Sequence, residues 1–329
     1  MSWLDRWTNR RRPAAAVAIP VADAQRSPPV APAELPEVLE IDLPATLRHE
    51  YPDQHSIATN TTAAVMARLG SVDLAPLARH SPSLAGYDWA AYLKCSQCRV
   101  VRVMQALSSH VAPGGRVLDY GSYFGNFSTA AAAMGYRVDA IDSYRGYGDS
   151  LAPWVALQRE AGVTILDFAD TGYDLTSAGA GTYDAVICGG VLEHIPHTPR
   201  LLLESMTASL VPGGVLILDT PNLAYLYKRL ALVEGQSIFA PIAQQYFTQI
   251  PFEGHHREYT IAEVEWLLQT AGHDVLSIDT FNYSVYGQHR LTGEHLAYYR
   301  EMEQDKSLRE VIFAVSRRRQ PIAAGKMDQ

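Results

Sequence analysis

The stretch Arg116-Val117-Leu118-Asp119-Tyr120-Gly121-Ser122-Tyr123-Phe124-Gly125-Asn126-Phe127-Ser128 constrains the fold more than any other. Pro113-Gly114-Gly115 before it is turn chemistry, and the short apolar run Val117-Leu118 suits a buried strand. Gly121 and Gly125 follow at the strand end, where glycine lets the backbone approach a ligand and aims free N–H groups at it. A strand, a glycine turn and a helix start in that order form a nucleotide-cradling loop, with Asp119 as a fixed negative charge beside it. The dinucleotide spacing G-x-G-x-x-G fits less well, because three residues separate Gly121 from Gly125.

The chain then alternates. Ser128 to Met134 is an Ala-rich helix ended by Gly135, and Tyr136 to Asp142 is a second strand closing on an acid. A helix between two strands returns the chain to a parallel neighbour, so Asp142 falls at the carboxyl edge near the glycine loop, where such sheets bind ligands. Its carboxylate can accept hydrogen bonds from two ribose hydroxyls. Val163 to Leu166 is a third strand, followed by Asp167, Phe168 and Asp170. Tyr183 to Cys188 is a fourth, followed by Gly189-Gly190-Val191-Leu192-Glu193-His194. Val215 to Asp219, Val275 to Asp279 and Glu310 to Val315 complete the series, and Thr260 with Glu263 predicts a capping box before the helix that ends at Gly272.

The ordered set resembles the class I S-adenosylmethionine-dependent methyltransferases over roughly residues 100–317. Asp119, Gly121 and Gly125 match that family's first motif, with Tyr123 where its middle glycine usually stands, so the close backbone approach there must be made differently. The resemblance implies an α/β fold, a doubly wound seven-stranded Rossmann-like sheet with a helical N-terminal cap, and S-adenosylmethionine as cofactor. It implies cofactor contacts from Asp119, Gly121, Ser122, Gly125, Asp142, Phe168, Gly190 and Glu193, and an adenine contact from Asp167 or Asp170. Strand proximity favours Asp167, whereas counting back from the next strand favours Asp170. The string Thr220-Pro221-Asn222-Leu223 with His256-Arg257-Glu258-Tyr259 more loosely resembles bacterial methyltransferases of surface glycans and secondary products.

Around this core, residues 1–40 read as a Pro- and Ala-rich disordered tail, 41–110 as the helical cap, 111–320 as the cofactor-binding domain, and 321–329 as a second tail. Trp3, Leu4 and Trp7, flanked by Arg6, Arg10 and Arg11, carry a short pattern for weak membrane-surface contact through residues 1–12. In the cap, Tyr92, Val100, Val103, Met104 and Leu107 share an inward helical face. A net charge of −8 excludes a general nucleic-acid binder, and no apolar run is long enough to cross a membrane. Three cysteines, Cys95, Cys98 and Cys188, suit a reducing cytoplasm, and the Cys95–Cys98 spacing lacks the second pair that a zinc site needs.

Two insertions remain, 222–259 and 283–308. The first holds Tyr225, Tyr227, Phe239, Tyr246, Phe247 and Phe252, and a loop this long in a compact domain is functional, here a lid over an acceptor. The expected acceptor is a small molecule or a glycan bearing a hydroxyl, with a lipid or quinone at a membrane surface, or a non-catalytic module, as the rival readings. Removing a hydroxyl proton calls for a base, and His194 and His256 are the candidates. His194, His197, His255 and His256 with Asp219 show no diagnostic ligand spacing, so no metal is assigned.

Overall fold

The computed structural model describes residues 38–40, 42–78, 84, 86–171, 180–249, 251–287 and 290–320, which form one unit. The expected N-terminal membrane segment and C-terminal tail lie outside the described residues. Val38–Glu40, which composition placed in the tail, are a strand (β1).

The remaining strands are β2 (Arg116–Tyr120), β3 (Arg137–Asp142), β4 (Thr164–Asp167), β5 (Tyr183–Gly189), β6 (Leu210–Pro221), β7 (His273–Phe281), β8 (Arg290–Thr292) and β9 (Val311–Arg318). Seven of them form one sheet in the order β4-β3-β2-β5-β6-β9-β7. β2 to β6 pair in parallel, and β9 runs antiparallel between β6 and β7. This is the expected doubly wound sheet. Its order reverses between β2 and β5, which opens a crevice at their carboxyl ends. β1 pairs with β8 in a separate two-stranded ribbon.

Alternation along each strand divides the core between the two faces. Val117, Ala140, Ile187, Ile217 and Phe313 face one side and pack with Val100, Val103, Met104 and Leu107 of the helix Trp89–His110. Leu118, Ile141, Val186, Leu216 and Ala314 face the other, against Met206 and Leu268 of the helices Arg200–Ser209 and Ile261–Thr270. The long N-terminal helix thus covers a sheet face as well as the site, because its apolar stripe continues beyond Tyr92. A third cluster centres on Trp154, whose indole N–H donates to the Val65 carbonyl at 3.0 Å, tying the helix Pro52–Met66 to the helix Ala152–Glu160.

The first insertion is closed at its base. Asn222 and Tyr259 form an isolated parallel bridge, and the Asn222 amide donates to the Ser307 and Arg309 carbonyls, joining the two insertions. Between those ends lie short helices, Leu226–Val233 and Ile242–Phe247. Cys98 and Cys188 are buried and free, and burial pushes the Cys98 thiol up to about 12, so it has no thiolate for redox chemistry near neutrality.

Candidate active site

A cavity of about 610 Å³ lies over the carboxyl ends of β2, β5 and β6. On its β2 side, Gly121 has φ +77°, and a Cβ there would meet Val191 Cγ2 at 2.4 Å. Tyr123, in the place of a middle glycine, has φ +48° and is the one non-glycine residue with positive φ among the described residues. The chain keeps the left-handed turn and accepts its cost. The Tyr123 ring packs on Phe124, with centroids 4.4 Å apart, and helps wall the cavity. Its backbone N–H donates to Asp142 at 2.8 Å, and the Ser143 N–H donates to the other Asp142 oxygen at 2.6 Å. Asp142 is therefore fixed at the cavity wall by the loop itself, and burial lifts its carboxyl to about 6.

Behind this loop the support comes from farther away in the chain. Buried Gln158 accepts from the Ser122 and Ser128 hydroxyls at 3.2 and 2.8 Å, and Ser122 also bonds Tyr144. A Cβ on Gly125 would fall 2.4 Å from Gln158, so glycine is what lets the amide reach the turn. Asp119 is fully buried, accepts from the Ser128 N–H at 2.9 Å, and is pushed up to about 7 by burial against the opposing Ser128 bonds. Asp119, Ser122 and Gly125 hold the loop from beneath and are absent from the cavity lining.

Phe168 lines the cavity and packs on Tyr120, with centroids 5.0 Å apart. Its two acidic neighbours do not line it. Asp167 sits beside Asp142 in register and accepts from the Arg145 and Ala169 N–H groups, whereas Asp170 is exposed and makes a two-pronged pair with the Arg145 guanidinium.

The opposite wall begins at Gly190, φ +67°, where a Cβ would stand 2.9 Å from Arg99 Nη2 and 3.5 Å from Glu193 Oε1. Arg99 makes a buried two-pronged pair with Asp219, at 3.0 and 2.5 Å. Glu193 is buried, with one oxygen accepting from the Thr220 hydroxyl at 3.0 Å. His194 Nδ1 lies 2.7 Å from the Glu253 carbonyl, and the His194 and His255 rings meet edge to face at 4.8 Å. His255 Nδ1 lies 2.9 Å from Glu258, which also pairs with Lys228. Burial lowers the His255 pKa, but Glu258 and Glu193 outweigh it and hold the imidazole above its ordinary value.

His194 and His256 are the base candidates from sequence, and they separate here. His194 lines the cavity, whereas the His256 ring bonds the Phe252 carbonyl at 2.9 Å and its backbone N–H donates to the Glu193 carbonyl at 2.8 Å. His255, one residue earlier, occupies the wall. Arg99 and Gln158 are residues that local sequence signals missed, and His255 entered the sequence reading only among weighed metal ligands, with no role at the cavity. The His256-Arg257-Glu258-Tyr259 string marked the segment but could not say which ring turned inward.

Residues 90–278, more than half of the chain, match the family model described as a methyltransferase domain. The chain belongs to the class I S-adenosylmethionine-dependent methyltransferase family. The chain is 35% identical over 141 residues to a ubiquinone biosynthesis O-methyltransferase of Xanthomonas axonopodis, covering 41% of the chain and 55% of that relative. Its counterpart from Xanthomonas campestris is 34% identical over 143 residues, 42% of the chain and 56% of the relative. The chain thus spans about half the length of the curated relatives it matches. Among solved structures, an S-adenosylmethionine-dependent methyltransferase from Mesorhizobium loti aligns with TM-score 0.45 at 17% identity, over 65% of this chain and 96% of that one. A Haemonchus contortus phosphoethanolamine N-methyltransferase 2 in complex with S-adenosylmethionine aligns with TM-score 0.42 at 15% identity, over 67% and 52%.

S-adenosylmethionine is the family's cofactor, and the cavity fits it. A wall in which a Cβ at Gly121 or Gly190 would collide, a buried carboxylate held by two backbone N–H groups, and the aromatic face of Phe168 all meet in one space. Among the described residues no helix is long and apolar enough to cross a membrane.

Proposed function

We propose that this protein transfers a methyl group from S-adenosylmethionine to a hydroxyl on a small-molecule acceptor. The observation that carries this reading is the convergence of Glu193, His194 and His255 on the same cavity as Asp142 and the glycine loop. Asp142 would hold the ribose hydroxyls, Phe168 would pack on the adenine, and Asp167 rather than the Arg145-paired Asp170 would meet the adenine side. Arg99, beside Gly190, places a guanidinium edge where the methionine end of the cofactor would lie. When bound, the cofactor supplies a methyl carbon activated by its sulfonium.

The rest is the protein's task of alignment and proton removal. Carbonyls and carboxylates only accept, so Nδ1 of His194 and of His255 carries a proton toward Glu253 and Glu258, and in the neutral ring Nε2 is the nitrogen that can take the acceptor's proton. Phe239, Phe252 and Glu253 of the first insertion form part of the wall and shield that exchange from bulk water.

The remaining wall bears on the acceptor class. Tyr87, Trp89, Tyr92 and Tyr283 present aromatic faces, which favours a phenolic or quinol-type ring over a sugar. The names of the Xanthomonas relatives point the same way.

Calorimetric titration of S-adenosylhomocysteine into wild type and Asp142→Ala tests the cofactor side. We expect micromolar binding in wild type and a loss of about 10- to 100-fold in the variant, the scale of a lost hydrogen bond to a charged group. Absence of binding in folded wild type would overturn the reading. Labelled methyl transfer to a panel of hydroxybenzoates, catechols and sugars then separates acceptor classes, and transfer confined to the sugars would overturn the phenolic assignment.

A further inference from the structure

The first insertion is built inside out. In its helix Ile242–Phe247, Ile242 and Tyr246 stand four residues apart on one face, and Gln244, two residues from each, stands on the opposite one. Gln244 and Thr248 are half-buried, the Thr248 hydroxyl donates to the Gln244 carbonyl at 2.7 Å, and Gln244 lines the cavity. The apolar side chains point to solvent instead. Leu232, Val233, Phe239, Ile242, Tyr246 and Phe247 are between 56% and 86% exposed. A helix held to its protein by the polar stripe, with the apolar stripe in water, reverses the ordinary arrangement. At those exposures the six side chains present roughly 800 Å², more than the largest apolar patch of an ordinary monomer, about 300–600 Å². It is also what one partner gives to a stable protein interface.

The charge pattern selects the occupant. Residues 235–252 include no charged residue. The two cations shortly before them are turned inward, Lys228 paired with Glu258 and Arg229 donating to the Ala224 carbonyl at 2.6 Å, and the charge that borders the patch is Glu234. A helix that rests on an anionic lipid surface carries Lys and Arg along its polar face, where this one has Gln244 and Gln245. A different protein partner is selected by complementary charge, which this face does not offer. An uncharged aromatic face matches itself across a two-fold axis, and homodimer interfaces are the more apolar class, depleted of charge at their centre.

We propose that the outer face of the first insertion, residues 232–247, is the contact between two copies of this chain related by a two-fold axis. Ile238, Phe239 and Gln244 belong to the same segment and line the cavity. The copy that covers the outer face therefore holds this part of the cavity wall in place, and the dimer is the form in which the wall is complete. The pairing does not depend on which reaction the cavity serves.

The test is sedimentation of the full chain over a concentration series, with S-adenosylhomocysteine binding measured separately by calorimetry. We expect a mass of two chains at about 10 μM, the range that an apolar interface of this size supports. Ile242→Glu and Tyr246→Glu should each weaken the dimer by at least 100-fold, because a two-fold contact buries each new carboxylate twice. Both positions are exposed and lie outside the cavity lining, so both variants should keep the wild-type melting temperature and bind S-adenosylhomocysteine within about 3-fold of wild type. A wild type that stays monomeric up to about 100 μM while binding S-adenosylhomocysteine would overturn the pairing and leave the methyltransferase reading intact. A dimer undiminished by both substitutions would also overturn it, since the copies would then meet elsewhere. Flotation of a monomeric wild type with vesicles of equal parts phosphatidylglycerol and phosphatidylcholine, lost in Tyr246→Glu, would overturn it and give the face to lipid. A dimer dissociated by the two substitutions, in a wild type that binds no S-adenosylhomocysteine, would uphold the pairing and overturn the cofactor assignment.

Discussion

Gly121 shows how one hydrogen atom in place of a methyl group decides the shape of the cavity wall. Its φ of +77° and the 2.4 Å approach that a Cβ would make to Val191 are independent penalties. Gly121→Ala should therefore lower stability by about 1–2 kcal/mol and weaken S-adenosylhomocysteine binding by at least about 10-fold, read by thermal melting and calorimetry. Wild-type affinity in that variant would mean that the loop does not approach the ligand. Tyr123 illustrates the opposite choice: a side chain is kept in a glycine conformation because its ring joins the aromatic cluster at the cavity wall. Its departure from the family pattern was legible in sequence. Its solution was not, since φ depends on the whole turn.

At the scale of elements, the helix Ile261–Thr270 was legible to its cap. Thr260 accepts from the Glu263 N–H, and the Glu263 side chain accepts in return from the Thr260 N–H at 2.9 Å. Thr260→Ala should destabilise the protein by about 1 kcal/mol in denaturant titration, and an unchanged midpoint would remove the cap from the account. This helix follows directly on the insertion that carries His255 and Glu258. Cap, Glu258 and the Asn222–Tyr259 bridge together fix where that insertion returns to the core. Short helices inside the insertion were not foreseen, because its apolar residues serve the cavity wall and the surface as well as helix packing. Phe239, itself exposed, lines the rim of the cavity, and Ile242, Tyr246 and Phe247 are exposed away from it.

Across the whole molecule, stability and site are coupled to buried titratable groups on opposite sides of the sheet. His273 lies between the Thr207 and Ser316 hydroxyls, at 2.8 and 3.1 Å, and burial, with Arg318 and Arg319 adding to it, lowers its pKa to about 4. The unfolded chain protonates this ring near its ordinary value, whereas the folded chain resists until about pH 4. Acidification from about 6.5 to 4 therefore favours unfolding through this one group, by on the order of 3 kcal/mol. Asp119 and Asp142, raised by burial, act in the other direction, since their stabilising protons are lost as pH rises through about 7 and 6. The contribution of His273 is thus read as the difference between wild type and His273→Gln, whose melting curves should differ in slope between pH 6.5 and 4 and run parallel above it. Parallel curves throughout would refute the assignment. The seven strands of the main sheet, their order along the chain, the glycine turn, Asp142 and the Glu193-His194 pair were determined by the sequence itself, because apolar alternation, turn residues and strand-end acids are local signals. Tertiary structure alone decided that Gln158 braces the loop, that Arg99 pairs with Asp219, that Asp119 lies beneath the cavity, and that His255 rather than His256 faces it. Those outcomes depend on contacts between residues from about 30 to more than 100 positions apart, and on which of two adjacent side chains a closed insertion turns inward.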